Sequence, residues 1–244
     1  MQILPVIDIK NGIAVRGVAG ERDVYRAVES DLSPDAQVPN IAHAFREHFG
    51  LSELYIADLD AILDGTLNLP LFRELQENGF ELLIDAGLRD VERAQKIMNA
   101  GAKAVICGLE TSPGPRHVEE LLSTFGPEKV IFSLDMKNGL PMCDPENWGS
   151  QDPLEIARRC LAAGINRMIV LDLAGVGVGG GVAQLNLCQI LLNESPGLEL
   201  ITGGGVRDIT DLHTLKNAGI KGVLIASALH NGSITPQDLE TLSS

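Results

Sequence analysis

Two short segments carry an aspartate in the same setting: Ile7-Asp8-Ile9-Lys10-Asn11-Gly12 and Leu134-Asp135-Met136-Lys137-Asn138-Gly139. In each, the carboxyl closes an apolar run, where a lone ionised group is costly to bury without a partner. One such aspartate alone is explained equally well as a cap on the following loop. A pair in duplicate surroundings points instead to acid–base chemistry, in which one carboxyl protonates an oxygen of a central ligand while the other removes a proton. Asp8 and Asp135 are therefore the candidate catalytic residues.

A second constellation is Thr202-Gly203-Gly204-Gly205-Val206-Arg207-Asp208, followed by Ile225-Ala226-Ser227-Ala228. Glycines after one strand and small residues opening a short helix after the next aim backbone N–H groups at an anion. Gly204, Gly205, Ala226 and Ser227 are thus candidate phosphate contacts, the alternative being glycines that only tighten turns. The corresponding earlier segments read Ile84-Asp85-Ala86-Gly87 and Gly108-Leu109-Glu110. Gly87 and Gly108 are the matching contacts there, but Asp85 and Glu110 repel a dianion at close range. One good phosphate site and one damaged or repurposed site are expected.

Four further residues are candidate substrate contacts. Arg16 offers positive charge shortly after Asp8, with a surface salt bridge as the alternative. Trp148, the only tryptophan, suits stacking on a planar ligand group or burial in a rim. Asp172 ends another apolar run. Gly177 lies in Val176-Gly177-Val178-Gly179-Gly180-Gly181, whose spacing lacks the context of a dinucleotide-binding loop and suits a mobile loop over a mouth. His43, His48, His117 and His213 fall in helical patterns or at helix starts and read as structural.

The elements that must hold these residues recur regularly. Apolar, largely β-branched runs at Ile3–Ile9, Glu53–Asp58, Glu81–Asp85, Ala104–Cys107, Val130–Asp135, Arg167–Asp172, Glu199–Thr202 and Gly222–Ile225 predict eight strands. Helical patterns such as Asp90–Ala100, Pro153–Ala163 and Asp208–Ala218 lie between them, which implies parallel strands joined by helical crossovers. Phe80–Glu110 aligns without gaps on Leu198–Ala228, and Ala57-Asp58-Leu59 matches Leu171-Asp172-Leu173. The order of strand-end motifs therefore occurs twice. The predicted architecture is an α/β (β/α)8 TIM barrel in one domain, 1–244, made of two similar half-barrels, about 1–125 and 126–244. An approximate twofold axis would set Asp8 and Asp135 against each other across the mouth.

Composition narrows the partners. At 45% hydrophobic and 21% charged the chain can bury a substantial core. A net charge of −14 disfavours nucleic acid and anionic membrane as partners, so an anionic ligand must be held by local features. Cys107, Cys143, Cys160 and Cys188 show no metal-ligand or paired spacing and read as free thiols in a reducing cytoplasm. No signal peptide or membrane-length apolar run is visible, and no metal is expected.

Together, Pro5-Val6-Ile7-Asp8 with Asn11-Gly12, Asp58-Leu59-Asp60-Ala61 with Gly65 and Asn68, Ala86-Gly87-Leu88-Arg89, Leu134-Asp135, Trp148 and Gly203-Gly204-Gly205-Val206 carry a resemblance. Over nearly its full length the chain resembles the ProFAR isomerase and imidazole glycerol phosphate synthase cyclase family of histidine biosynthesis. The resemblance implies an Amadori rearrangement of an aminoaldose to an aminoketose, a small-molecule sugar phosphate as ligand, and no cofactor. By it, Asp8 is the base that removes the C2 proton and Asp135 the acid that assists ring opening. Arg16 and Trp148 fit the isomerase branch, since the cyclase has lysine at the position of Arg16. Two segments depart from the family pattern. Leu171-Asp172-Leu173-Ala174-Gly175 lacks the family's threonine after strand six, and the first phosphate cradle is altered. These departures keep three alternatives open: a relative acting on a different, singly phosphorylated substrate in methanopterin-linked one-carbon metabolism; a cyclase or lyase using the same acids, with a partner supplying ammonia; and a phosphate-binding barrel without catalysis. A monomer is expected, with a weak homodimer as the alternative.

Overall fold

The computed structural model describes residues 1–243. Its apolar runs form eight parallel strands: β1 (Gln2–Lys10), β2 (Glu53–Asp58), β3 (Glu81–Asp85), β4 (Ala104–Gly108), β5 (Val130–Lys137), β6 (Arg167–Asp172), β7 (Glu199–Gly203) and β8 (Gly222–Ile225). Each pairs with its neighbours in sequence, and β1 pairs with β8 at Gln2↔Gly222 through Pro5↔Ile225. The sheet thereby closes into a (β/α)8 barrel, which leaves no open edge.

Helices α1 (Val38–Phe49), α2 (Leu69–Glu77), α3 (Val91–Asn99), α4 (Pro115–Phe125), α5 (Pro153–Ala163), α6 (Leu185–Glu194), α7 (Ile209–Asn217) and α8 (Pro236–Ser243) alternate with the strands or follow the last of them. Two helices start and stop one residue inside their sequence patterns because the outer residues are caps. Asp90 accepts from the backbone N–H of Arg93, and Asp208 from those of Thr210 and Asp211, while Ala100 and Ala218 close the far ends. No helix among the described residues is long and apolar enough to cross a membrane. All four cysteines are free.

Strand alternation divides the core in two. Leu4, Tyr55, Leu83, Ile106, Ile131, Ile169, Ile201 and Leu224 point inward and fill the barrel. The intervening residues, among them Ile3, Ile7, Leu54, Ile56, Val170 and Leu200, pack outward against the helices. Asp8, Asp85 and Asp135 share the inward parity at the strand ends; Asp58 and Asp172 share the outward one.

β1 and β5 run past their expected ends, Ile9 and Asp135, because each turns back on itself. Ile13–Arg16 pairs antiparallel with β1, and Leu140–Pro141 with β5. The connecting residues Asn11 and Gly12 (φ 54° and 74°) and Asn138 and Gly139 (φ 56° and 76°) all adopt positive φ, as a tight two-residue hairpin turn demands. Asp60 accepts from the N–H groups of Asn11 and Gly12 at 2.9 and 3.3 Å. Asp172 accepts from those of Asn138 and Gly139 at 3.0 and 2.7 Å. The duplicated Asn-Gly is thus a turn device that frees the preceding aspartate to face the barrel axis.

Candidate active site

Beyond the C-terminal ends of the strands lies a cavity of about 450 Å³, bordered by Asp8, Asp85, Glu110 and Asp135, by Tyr25 and Tyr55, by Arg16 and Arg22, and by Gly177, Gly204, Gly205, Ala226 and Ser227. Asp8 and Asp135 enter it from β1 and β5, four strands apart in the ring of eight.

Asp135 is 7% exposed, and its carboxylate accepts from the Ser133 hydroxyl at 2.6 Å. Burial pushes its pKa up to about 7, and the Asp85 charge adds to the rise. Asp8 borders the cavity beneath the Arg16–Tyr25 loop. Withdrawal of its carboxyl from bulk water pushes its pKa to about 7 as well, opposed chiefly by the Arg22 guanidinium. Asp85 accepts from the Tyr55 hydroxyl at 3.2 Å and from the Gly87 N–H at 3.3 Å, and burial raises it to about 6. Asp8 and Asp135 therefore differ in their neighbours. The Asp85 charge raises both, and the Arg22 guanidinium opposes the rise at Asp8.

This burial has a consequence for stability. The folded protein keeps a proton on Asp135 up to about pH 7, while the unfolded chain releases it near the ordinary value of 3.8. Protons bound by the native state exceed those of the unfolded state across that window, so stability falls as pH rises through it and levels off above it. Asp135→Asn removes the effect. It is expected to raise the midpoint of thermal unfolding by roughly 5 °C at about pH 8, and to leave it within about 2 °C of the parent at about pH 4. Differential scanning calorimetry at the two pH values checks this.

The two candidate phosphate cradles differ in structure. In the second, Gly204 (φ 78°) and Gly205 (φ 99°) turn the chain away from β7, and a Cβ at Gly205 would meet the Gly181 carbonyl at 2.5 Å. Among the described residues, no acceptor pairs with the backbone N–H of Gly204, Gly205, Ala226 or Ser227, and all four residues border the cavity. In the first, neither Gly87 nor Gly108 borders it. The Gly87 N–H is taken by Asp85, and a Cβ there would press on Ile62 and Arg89. A Cβ at Gly108 would lie 3.1 Å from the Asp135 carboxylate. Arg93 fills the space behind, donating to the carbonyls of Ala86, Ala61 and Gly65.

Of the expected substrate contacts, Arg16 and Gly177 border the cavity and touch, the Arg16 guanidinium donating to the Gly177 carbonyl at 3.4 Å. The glycine-rich segment is tied at Val176 to Ala19 and at Gly181 to Gly205. Asp172 and Trp148 do not border the cavity. Asp172 has the outward parity of Met168 and Val170, and its oxygens hold the N–H groups of Asn138, Gly139 and Ala174 and the Gln184 side chain. Trp148 is 1% exposed; its indole lies against Phe132 and donates to the Ser112 carbonyl, which is the rim burial weighed against stacking.

Arg22, Tyr25 and Tyr55 border the cavity although no motif marks them. Tyr55 was readable from alternation, since it precedes the inward-facing Ala57 by two. Arg22 sits in a loop without periodicity. His230, also at the cavity edge, bonds Ser30 at 2.9 Å, and burial lowers its pKa to about 4, so it stays neutral.

A family model described as histidine biosynthesis protein matches residues 2–235. An uncharacterized protein of Methanocaldococcus jannaschii is 30% identical over 99% of this chain and 97% of its own. A protein of Syntrophomonas wolfei, named 1-(5-phosphoribosyl)-5-((5-phosphoribosylamino)methylideneamino) imidazole-4-carboxamide isomerase, is 33% identical over 96% of this chain and 95% of its own. A protein of the same name from Methanosphaera stadtmanae is 30% identical over 98% of each.

Proposed function

The chain belongs to the histidine biosynthesis protein family, and from that premise we propose that it is an intramolecular isomerase converting a phosphorylated aminoaldose to an aminoketose. The observation that carries the proposal is the pair of cavity carboxyls with pKa values raised to about 7 on β1 and β5. Near neutral pH such a pair populates the state in which one member is charged and the other protonated, as general acid–base catalysis requires.

The substrate phosphate rests on the N–H groups of Gly204, Gly205, Ala226 and Ser227, which places the sugar between the carboxyls. Asp135 in its protonated form donates to the ring oxygen as the C1–O bond breaks and the amine lone pair forms an iminium. Asp8 as carboxylate takes the C2 proton, and the electron pair of the broken C2–H bond neutralises the iminium to give an enolamine. Tautomerisation completes the cycle: C1 takes a proton from Asp8, and the enol hydroxyl returns one to Asp135. The substrate neither gains nor loses atoms, and both carboxyls regain their starting states. Arg16 and Gly177 cover the mouth and limit access of water to the iminium.

The test is incubation with a phosphorylated aminoaldose in deuterium oxide, followed by NMR. Aldose signal is expected to give way to ketose, with the former C2 hydrogen delivered to C1 and solvent deuterium entering there only in the fraction of turnovers in which the Asp8 proton exchanges with water. Unchanged aldose across the panel of phosphorylated aminoaldoses, under conditions in which the protein binds them, would sink the proposal.

A further inference from the structure

We infer that the substrate carries one phosphate, because the Arg22–Glu110 ion pair and the Asp85 carboxyl close the position where a second phosphate would sit. The inference rests on the isomerase reading for the place of the sugar. It goes beyond that reading in fixing the class of substrate as a monophosphate whose far end bears no phosphate. The isomerases to which the chain is similar have two phosphoribosyl groups in their name.

The internal repeat permits a comparison position by position. Gly87 corresponds to Gly205, Leu109 to Ser227, Glu110 to Ala228 and Asp85 to Gly203. Where Gly205 and Ser227 have backbone N–H groups without a protein acceptor among the described residues, those of Gly87 and Leu109 are engaged by Asp85 and by the Ser133 carbonyl at 3.3 and 2.9 Å. A phosphate at the first-half position would find two of the four corresponding donors, those of Gly87 and Leu109, already taken. It would meet two carboxyls instead. Arg22, the cation between Glu110 and Asp8, is already committed: it grips Glu110 with two hydrogen bonds of 2.7 and 2.5 Å. Lys10 donates to the Arg22 carbonyl at 2.6 Å and holds the loop in place. Were Arg22 to leave for a phosphate, Glu110 would be left unpaired beside the incoming dianion.

Isothermal titration calorimetry with ribulose monophosphate and ribulose bisphosphate, phosphorylated at one end and at both ends, tests the inference. The parent protein is expected to bind the bisphosphate no more tightly than the monophosphate, within about threefold. Asp85→Gly with Glu110→Ala copies the second-half residues into the first half. It is expected to tighten the bisphosphate relative to the monophosphate by about tenfold or more. Glu110→Gln, a near-isosteric change that frees Arg22, is expected to shift the ratio the same way by a smaller factor and guards against misfolding of the double variant. A parent protein that prefers the bisphosphate by about tenfold, or variants whose ratio does not move, overturns the inference and leaves the isomerase reading standing. Failure of the deuterium experiment overturns the isomerase reading while the number of phosphates is still read from binding.

Discussion

Asp8→Asn is expected to lower kcat by about three orders of magnitude, within the roughly 10²–10⁴-fold range for removal of a general base, while the Kd for ribulose monophosphate stays within about threefold. Asparagine keeps the shape of the side chain but cannot take the C2 proton. The variant is also expected to fold at least as well as its parent, because it removes a carboxyl whose ionisation is penalised by withdrawal from water. In the parent, the pH–rate profile should bend on both sides of a maximum near pH 7, the two limbs belonging to the carboxyls as a pair. In the variant the limb set by the base disappears. Stopped assays for turnover, with calorimetry for binding, separate the outcomes. Undiminished kcat would remove Asp8 from the chemistry, and lost binding would make it a contact instead of a base.

Ser227→Asp is expected to weaken ribulose monophosphate by about 100-fold or more without loss of fold. The residue opens the short helical turn Ser227–His230 at the cavity edge. A carboxylate there competes for the N–H groups that are free for phosphate and repels the dianion. The same carboxylate is favourable to the start of a helical turn, so the thermal midpoint should hold or rise slightly. Titration calorimetry beside a melting curve reads both effects. Unaltered affinity would mean that the phosphate lies elsewhere, whatever the fate of Asp8.

Much of the barrel was readable from local chemistry. The alternation of apolar residues, the glycines and the aspartate caps specify strands, turns and helix starts over a few residues, and the internal repeat carries that reading through both halves. The same parity brings Asp8, Asp85 and Asp135 inward together. Alternation also explains an expectation that fails to reach the cavity. The place of Asp172 at a strand end points to the site, yet it follows the inward-facing Leu171 and so points outward, where it holds the Asn138-Gly139 turn. Gly87 and Gly108 matched the second cradle by alignment, but alignment does not report that Asp85 and Ser133 have taken the local N–H groups.

The amino-acid sequence by itself determined the eight-unit repeat, the inward aspartates at two equivalent strand ends and the glycine-rich turn after β7, because each depends on residues close together in the chain. Tertiary structure alone decided that Arg22 meets Glu110, 88 residues away, and that Trp148 turns beneath the rim toward Ser112. Those contacts join loops that have no periodicity of their own. Closure of the sheet determines which loops become neighbours, and through them how near Asp8 an opposing positive charge comes.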